Sequence, residues 1–315
     1  MLVLSRAISP EQADQICGCI DGVEFVFAQD EREDIFDKAK DLDGLINCPR
    51  HIFDLDLFNQ LQPRLKWLHS GGAGVEAFLF PEFVQSDVVF TNGQILQGPE
   101  VSEHAVGLLL ALTRNLHLVI KGKTSAEMPR PIELYNKTAA VIGLGGIGML
   151  VCEKLRAMGM RIIGIDEGMV PMVSSIDTYQ HFKDGFSILG KADVVVNAAP
   201  ETARSFHMMN KESFSKMKAG SYFINVSRGP VVDTDALVEA LQSGHLTAAG
   251  LDVTEPEPLS ADHPLRLMEN VIITPHSAGL SDCNRDRVFE TIRRNIELFV
   301  AGQPLCNIVN KQAGY

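Results

Sequence analysis

The segment AVIGLGGIGMLVCEKLRAMGMRIIGID, residues 140–166, constrains the fold more than any other part of the chain. An apolar run leads into Gly143, Gly145 and Gly148, which have the spacing GxGxxG, and a helix-like stretch and a second apolar run follow. Such glycines permit a tight turn and close approach of the backbone to a pyrophosphate, which free N–H groups at a helix N-terminus stabilise. The pattern therefore predicts a strand–turn–helix–strand unit that binds a dinucleotide.

Asp166 ends the second apolar run and lies 18 residues after Gly148. A carboxylate at about this distance accepts hydrogen bonds from the ribose hydroxyls of the dinucleotide, and it would repel a 2′-phosphate. Neither Glu167 nor Gly168, which follow in the sequence, supplies a compensating cation. We therefore predict NAD as the cofactor.

The composition excludes several classes of protein. A formal net charge of −12 over 315 residues argues against nucleic acid and anionic membranes as partners. The longest apolar stretch, residues 105–112, is far shorter than the roughly 20 residues of a membrane span. The six cysteines are scattered without paired spacing, so we expect neither a disulfide framework nor a metal site. The N-terminus lacks the pattern of a secretory signal, and we expect a cytoplasmic protein.

Short apolar runs alternate with helix-compatible segments along both halves of the chain. This order predicts an α/β protein with parallel sheets covered by helices. We also predict a largely apolar helix over residues 99–117 and an amphipathic helix from about residue 282 to residue 300.

Four polar residues stand where apolar runs stop, at the edge of a parallel sheet where ligands bind. Taken singly, each could serve the structure alone, in an ion pair, a capped turn or a solvated surface. They are Arg228 after FINVS, Asp252 after AAGL, Glu257 in DVTEPEP and His276 after VIITP.

Together these residues suit the reduction of a carbonyl group by a nicotinamide cofactor. Such a reaction needs a proton donor as well as a hydride, and histidine suits this role near neutral pH. A neighbouring carboxylate such as Glu257 would favour the charged imidazole, and Arg228 could polarise the carbonyl while binding a substrate carboxylate. We therefore predict a small 2-oxo acid as the substrate.

Over nearly its whole length the sequence resembles the D-isomer-specific 2-hydroxy acid dehydrogenases. The stretches that carry this resemblance are GLGGIG with Asp166, FSKMKAGSYFINVSRGPVVDTDALVEAL, GLDVTEPEPLSADHPL, NVIITPHSAG, TNGQILQGPEVSEHAVGLLLAL and GQPLCNIVN. The resemblance implies a Rossmann-type doubly wound NAD-binding domain, residues 99–284, inserted in a smaller flavodoxin-like α/β substrate domain, residues 1–98 and 285–315.

The resemblance also implies roles for individual residues. Arg228, Glu257 and His276 match the catalytic triad, in which His276 is the acid and base, Glu257 tunes it and Arg228 binds the substrate. In HSGGAGVE, Ala73 and Gly74 match backbone groups that bind the substrate carboxylate, together with Arg228 and His276. The residues expected at the cofactor are Gly143, Gly145, Gly146, Ile147, Gly148, Asp166, Pro200, Thr202, Val226, Ser227, Arg228, Asp252 and His276.

The predicted reaction is the NAD-dependent reduction of a small 2-oxo acid to the D-2-hydroxy acid, and its reverse, without a metal. GLDVTEPEPLSADHPL is most similar to glyoxylate and hydroxypyruvate reductases, and a homodimer through the coenzyme domain is expected. Phosphoglycerate dehydrogenase activity and a non-enzymatic, NAD-sensing corepressor are the alternatives. Formate dehydrogenases are disfavoured because that branch has Gln where this chain has Glu257.

Overall fold

A computed structural model of the chain describes residues 2–4, 11–12, 14–15, 20, 23–29, 31–38, 41–168 and 174–315. The chain forms two compact units. The first comprises Met1–Gln97 and Ser281–Tyr315, and the second comprises Gly98–Leu280. The first unit is therefore built from both ends of the chain.

The first unit contains a parallel sheet with the strand order β2-β1-β3-β4-β5. This is the order of flavodoxin-like doubly wound sheets, in which ligands bind at the carboxyl ends of the strands. The strands are β1 (Leu2–Leu4), β2 (Phe25–Phe27), β3 (Gly44–Ile46), β4 (Trp67–Ser70) and β5 (Val89–Asn92).

One face of this sheet is covered by the helix near the end of the chain, whose apolar residues recur at helical spacing. Ile292 and Ile296, four residues apart, are buried with Trp67, and the rings of Trp67 and Phe299 lie 5.2 Å apart between centroids. The helices of the first unit are Arg32–Lys38, Leu55–Leu61, Pro81–Gln85 and Asn284–Val300, with a 3-10 turn at Glu76–Phe78.

The second unit contains a parallel sheet with the order β12-β11-β10-β9-β6-β7-β8. Counted within the unit, this is the Rossmann order 3-2-1-4-5-6, extended by one strand. The continuous apolar runs of its central strands are buried, as expected for a parallel sheet covered on both faces. The strands are β6 (Thr138–Ile142), β7 (Arg161–Asp166), β8 (Thr178–His181), β9 (Val194–Asn197), β10 (Ser221–Asn225), β11 (Leu246–Leu251) and β12 (Val271–Ile273).

Two features of the second unit differ from the sequence-based expectation. The helix predicted over residues 99–117 ends at Thr113, because Asn115 adopts a left-handed conformation with φ 57°. Strand β8 is polar and lies at the sheet edge, so a search for apolar runs does not find it. The α-helices are Gly98–Thr113, Leu116–Ile120, Gly146–Ala157, Lys211–Lys216, Thr234–Gln242 and Pro264–Leu267, and the 3-10 helices are Phe182–Asp184, Ser187–Lys191 and Gly229–Val231.

The described cysteines are free thiols: Cys48 and Cys152 are buried, and Cys283 and Cys306 are exposed. Burial raises the pKa of the Cys152 thiol to about 12, which makes it unreactive near neutral pH. Within the described ranges, no cluster of three His, Cys, Asp or Glu residues could hold a metal ion. No helix in the part of the chain that the structure describes is long and apolar enough to cross a membrane. Cys17 and Cys19 lie outside the described residues.

Candidate active site

The glycine-rich turn follows β6 and begins the helix Gly146–Ala157. A Cβ atom at Gly148 would lie 1.8 Å from the carbonyl oxygen of Gly143, so this close packing excludes any side chain. A Cβ atom at Gly145 would instead project into open space. The turn thus leaves room at the helix N-terminus where a pyrophosphate could approach the backbone, and it fits a dinucleotide.

Asp166 ends β7 and connects it to the glycine-rich turn. Its Oδ2 accepts a hydrogen bond from the Leu144 N–H over 2.6 Å, and its Oδ1 accepts one from the Gly168 N–H over 2.8 Å. A carboxylate can accept about four hydrogen bonds, so two of these sites remain for ribose hydroxyls. The half-buried Asp166 therefore fits the role of a ribose acid, which stays a prediction.

Arg204 forms an ion pair with Glu167, the residue that follows Asp166, and this pairing is not apparent from the sequence. The Arg204 Nη2 atom is 2.7 Å from Oε2 of Glu167, with the two side chains 65% and 26% exposed. Strand β6 separates β7 from β9 in the sheet, so this ion pair spans the end of β6. No cation stands next to Asp166 in the chain, whereas Arg204 comes from the loop after β9.

That loop also contains Pro200 and Thr202, two residues expected at the cofactor. Ser205 holds it, because its hydroxyl donates to the Pro200 carbonyl over 2.6 Å and accepts from the Thr202 N–H over 2.8 Å. Pro200 is exposed and Thr202 is half-buried. Both can therefore contact a ligand at this edge of the second unit, although their roles stay predictions.

Two buried asparagines fix the turn that contains Val226, Ser227 and Arg228. The Asn197 amide, at the end of β9, donates to Oδ1 of Asn225 and to the Ser227 hydroxyl, each over 3.1 Å. The half-buried Arg228 donates from Nη1 to the Ser227 carbonyl over 2.8 Å. Asn197 and Asn225 also end apolar runs, so the rule that found Arg228 could have found them.

His276 and Glu257 are in direct contact at the same edge of the second unit. The Nδ1 atom of His276 lies 2.7 Å from Oε1 of Glu257, and both side chains are 41% exposed. Because Nδ1 is engaged by the carboxylate, Nε2 is the nitrogen left for exchanging a proton with a substrate. His276 has a left-handed φ of 51°. This conformation is unfavourable for a residue with a side chain, so the surrounding structure must stabilise it.

Asp252 supplies part of that support. Its carboxylate is 3% exposed and accepts from the Ser277 N–H over 2.9 Å and the Ala278 N–H over 3.1 Å. Its backbone carbonyl accepts from the His276 N–H over 3.0 Å. The role of Asp252 at the nicotinamide carboxamide stays a prediction, whereas the structure shows that Asp252 anchors the loop containing His276.

The loop HSGGAGVE belongs to the first unit and follows β4. The Asn92 amide donates to the Ala73 carbonyl over 2.8 Å, which fixes the loop. Within the described residues, the N–H groups of Ala73 and Gly74 donate to no protein acceptor. Two such donors suit a carboxylate, and their role in substrate binding stays a prediction.

His69 is buried directly before this loop. Its Nδ1 lies 2.8 Å from the Thr91 hydroxyl, which also accepts a hydrogen bond from the Trp67 indole over 2.8 Å. The Thr91 hydroxyl has one proton and two acceptor lone pairs, so besides accepting from the indole it can pair with either neutral tautomer of His69. Burial lowers the pKa of His69 to about 3, which keeps this side chain neutral near neutral pH.

The sequence profile of the D-isomer specific 2-hydroxyacid dehydrogenase, NAD binding domain, matches residues 106–278. This match spans more than half of the chain, and the chain belongs to the D-isomer specific 2-hydroxyacid dehydrogenase family. It is thus an oxidoreductase of a class that acts on 2-hydroxy acids with a nicotinamide cofactor. The predicted family, α/β fold class and NAD cofactor are confirmed.

Several known proteins are similar to this chain. The glyoxylate reductase of Thermofilum pendens is 32% identical over 289 residues, which are 89% of this chain and 85% of that protein. The D-3-phosphoglycerate dehydrogenase of Methanocaldococcus jannaschii is 30% identical over 283 residues, which are 89% of this chain and 54% of that protein. A D-isomer specific 2-hydroxyacid dehydrogenase from Xanthobacter autotrophicus Py2, solved with NADPH and MES, has a TM-score of 0.84 at 26% identity, covering 100% of this chain and 99% of that one.

Proposed function

We propose that this protein reduces a small 2-oxo acid to the D-2-hydroxy acid with NADH, and catalyses the reverse oxidation. The observation that carries this proposal is the 2.7 Å contact between His276 and Glu257 in a chain of the 2-hydroxyacid dehydrogenase family. Bound NADH supplies the hydride that adds to the carbonyl carbon of the substrate.

His276 is proposed as the acid and base of this reaction. In reduction, a protonated His276 donates its Nε2 proton to the oxygen of the former carbonyl group. In oxidation, the neutral imidazole accepts the hydroxyl proton at the same nitrogen. Glu257 holds Nδ1 and stabilises the charged imidazolium, because an opposite charge at hydrogen-bond distance favours it.

Arg228 is proposed to bind the substrate. Its planar guanidinium can polarise the carbonyl oxygen and donate to a carboxylate. From the first unit, we propose the N–H groups of Ala73 and Gly74 as further donors to the substrate carboxylate. The net charge of the chain is −12, so an anionic substrate needs local hydrogen-bond donors. The guanidinium of Arg228 and the two backbone N–H groups would supply them.

The residues predicted at the cofactor are proposed to bind NADH, and Asp166 is proposed to select NADH over NADPH. Replacement of a 2′-hydroxyl by a 2′-phosphate exchanges a charged hydrogen bond of roughly 1.5–3 kcal/mol for repulsion, which favours NADH by at least about tenfold. Arg204, which is paired with Glu167 over 2.7 Å, is a cation that attracts a 2′-phosphate, so it weakens the preference for NADH.

Among 2-oxo acids, we propose glyoxylate and hydroxypyruvate as the preferred substrates. The 32% identity to a glyoxylate reductase over 89% of the chain supports this choice. The D-3-phosphoglycerate dehydrogenase relative is 30% identical over 89% of this chain, and phosphoglycerate dehydrogenase activity is the alternative. We also propose a homodimer, because Leu116, Val119 and Ile120 expose apolar side chains side by side on the second unit.

A substrate panel tests this proposal. NADH oxidation should be followed with glyoxylate, hydroxypyruvate, pyruvate, phosphohydroxypyruvate and branched 2-oxo acids, and the configuration of each chiral product determined. We expect the largest kcat/KM with glyoxylate or hydroxypyruvate, and D products. Turnover with none of these acids would favour the non-enzymatic alternative, and a clear preference for phosphohydroxypyruvate would favour phosphoglycerate dehydrogenase activity.

A further inference from the structure

A second histidine–carboxylate pair lies in the same unit as His276 and Glu257. The Nε2 atom of His207 is 2.8 Å from Oε2 of Glu255, and the two side chains are 37% and 35% exposed. The imidazole stacks on the ring of Phe206, with centroids 4.0 Å apart and an interplanar angle of 14°. The proposed reaction assigns no step to this pair.

Glu255 belongs to the loop that contains Glu257, and this loop lies against the turn that follows Arg228. A Cβ atom at Gly229 would lie 2.0 Å from the carbonyl oxygen of Thr254. Only a residue without a side chain therefore allows the loop to pack against this turn. The two segments that supply the arginine and the carboxylate of the triad are thus in direct backbone contact.

Thr254 connects this contact to the carboxylate of Glu257. Its N–H donates to Oε2 of Glu257 over 3.4 Å, while Oε1 of the same carboxylate contacts Nδ1 of His276 over 2.7 Å. A displacement of residues 254–255 would therefore move the Glu257 carboxylate relative to the imidazole. Any group that fixes these two residues also fixes the distance between Glu257 and His276.

His207 is well placed to fix this loop, because its own backbone is tied to the Arg228 turn. Its N–H donates to the Pro230 carbonyl over 2.9 Å, and its carbonyl accepts from the Asn210 amide over 3.1 Å. It also has a left-handed φ of 46°. On the other side of the pair, the Thr234 hydroxyl donates to the Glu255 carbonyl over 2.6 Å.

We infer that His207 and Glu255 are positioning residues, which hold Glu257 and Arg228 in place for the reaction at His276. This inference rests on the proposed function. The hydrogen bond requires a proton on Nε2 of His207, and both the neutral Nε2–H tautomer and the imidazolium carry one. The hydrogen bond to Glu255 can therefore form with either of these two forms of His207.

The test compares His207→Leu, which has no donor, with His207→Gln, which keeps an N–H donor. Lys211→Gln is the matched control, because it breaks an exposed ion pair of the same unit, Lys211 with Glu239 at 2.6 Å. For each protein we would measure kcat, KM for the 2-oxo acid, the pH profile of reduction, the Kd for NADH by fluorescence and the melting temperature.

For His207→Leu we expect kcat to fall about tenfold, because small displacements of catalytic groups have large effects on rate. The alkaline limb of the reduction profile should move to lower pH, since Glu257 would stabilise the imidazolium less well. The Kd for NADH should change less than about twofold, because the glycine-rich turn and Asp166 are unchanged. His207→Gln should recover most of both effects, and Lys211→Gln should resemble the wild type.

A purely structural role would lower the melting temperature of His207→Leu and leave the alkaline limb in place, and that result would overturn the inference. Glu255→Leu removes the acceptor instead and must reproduce both effects, which keeps the test decisive should His207→Leu not fold. Absence of turnover in the wild type would contradict the proposed function itself, whereas wild-type turnover with normal limbs in both leucine variants would contradict the inference alone.

Discussion

The hydroxyl of Thr274 donates a hydrogen bond to the carboxylate of Asp252 over 2.6 Å. The hydroxyl therefore has no proton left for His104, whose Nε2 lies 2.8 Å away, so His104 donates to Thr274. Asp252 also accepts from the backbone of Ser277 and, through its second oxygen, of Ala278. This chain of donors fixes the loop in which His276 lies.

Substitution of Thr274 by Val should lower kcat for reduction by about tenfold, because Asp252 loses a donor and the loop that positions His276 shifts. Thr274→Ser is the matched control, since it keeps the hydroxyl group, and it should stay within about twofold of the wild type. The measurement is kcat at saturating NADH and 2-oxo acid. A loss in Thr274→Ser that exceeds the loss in Thr274→Val would show that packing of the methyl group matters and the hydrogen bond does not.

Glu257→Gln keeps the shape of the side chain and removes the charge beside His276. The alkaline limb of the reduction profile should move to lower pH, because the imidazolium loses its anionic partner. The acidic limb of the oxidation profile should move down as well, so oxidation should persist at lower pH. Both pH profiles of kcat/KM should be compared between wild type and variant. If the wild type and the variant have the same pH profiles for both reduction and oxidation, Glu257 and His276 are not coupled.

Glu167→Gln should raise the use of NADPH relative to NADH. The change removes one acid beside Asp166 and releases Arg204 from its ion pair, so the guanidinium becomes available to a 2′-phosphate. We expect the ratio of kcat/KM for NADPH to that for NADH to rise about tenfold. Glu212→Gln, which breaks the exposed pair with Lys216, is the control. A gain that persists when Arg204→Gln is added would argue against this explanation.

Because of His69, the free energy of unfolding of the first unit should fall in acid. Its pKa is about 3 in the folded protein and 6.5 in the unfolded chain, so the unfolded state binds more protons between these values. The resulting stability is fully present above pH 6.5 and is lost as the pH falls towards 3, at about 1.4 kcal/mol per pH unit.

The comparison that isolates this effect is His69→Leu with the wild type. Between pH 7 and pH 4, the free energy of unfolding should fall about 3 kcal/mol further in the wild type than in the variant. Trp67, the single tryptophan, lies 6.2 Å from the His69 ring between centroids, so its fluorescence in urea titrations reports on this unit. Parallel pH dependences would mean that His69 is hydrated in the folded state.

The parts of the fold that could be predicted from the sequence depend on local patterns. The GxGxxG turn, the buried strands and Asp166 follow from glycine spacing and apolar runs, because each is specified by residues close in the chain. Strand β8 could not be predicted in this way, because an edge strand needs no apolar run. The left-handed Asn115, which ends the helix predicted over residues 99–117, likewise gives no periodic signal.

The residues whose contacts hold the candidate site in place could not be predicted from the sequence, for a different reason. His104 contacts Thr274, which is 170 residues further along the chain, and Arg204 reaches Glu167 across the end of β6. Such partners depend on strand order, which a single sequence does not specify. His207, close to Arg204 in the chain, is one of nine histidines, and its partner Glu255 is apparent only from the packed loops.

The most direct test of the central proposal is the effect of His276→Ala on hydride consumption and on cofactor binding in the same preparation. With the best substrate of the panel, kcat/KM for reduction should fall by at least about a thousandfold, because the proton donor is lost. The Kd for NADH should stay within about threefold, since the glycine-rich turn and Asp166 are unchanged. A variant that binds NADH normally and keeps more than about a tenth of the wild-type kcat/KM would contradict the assignment of His276 as the acid and base.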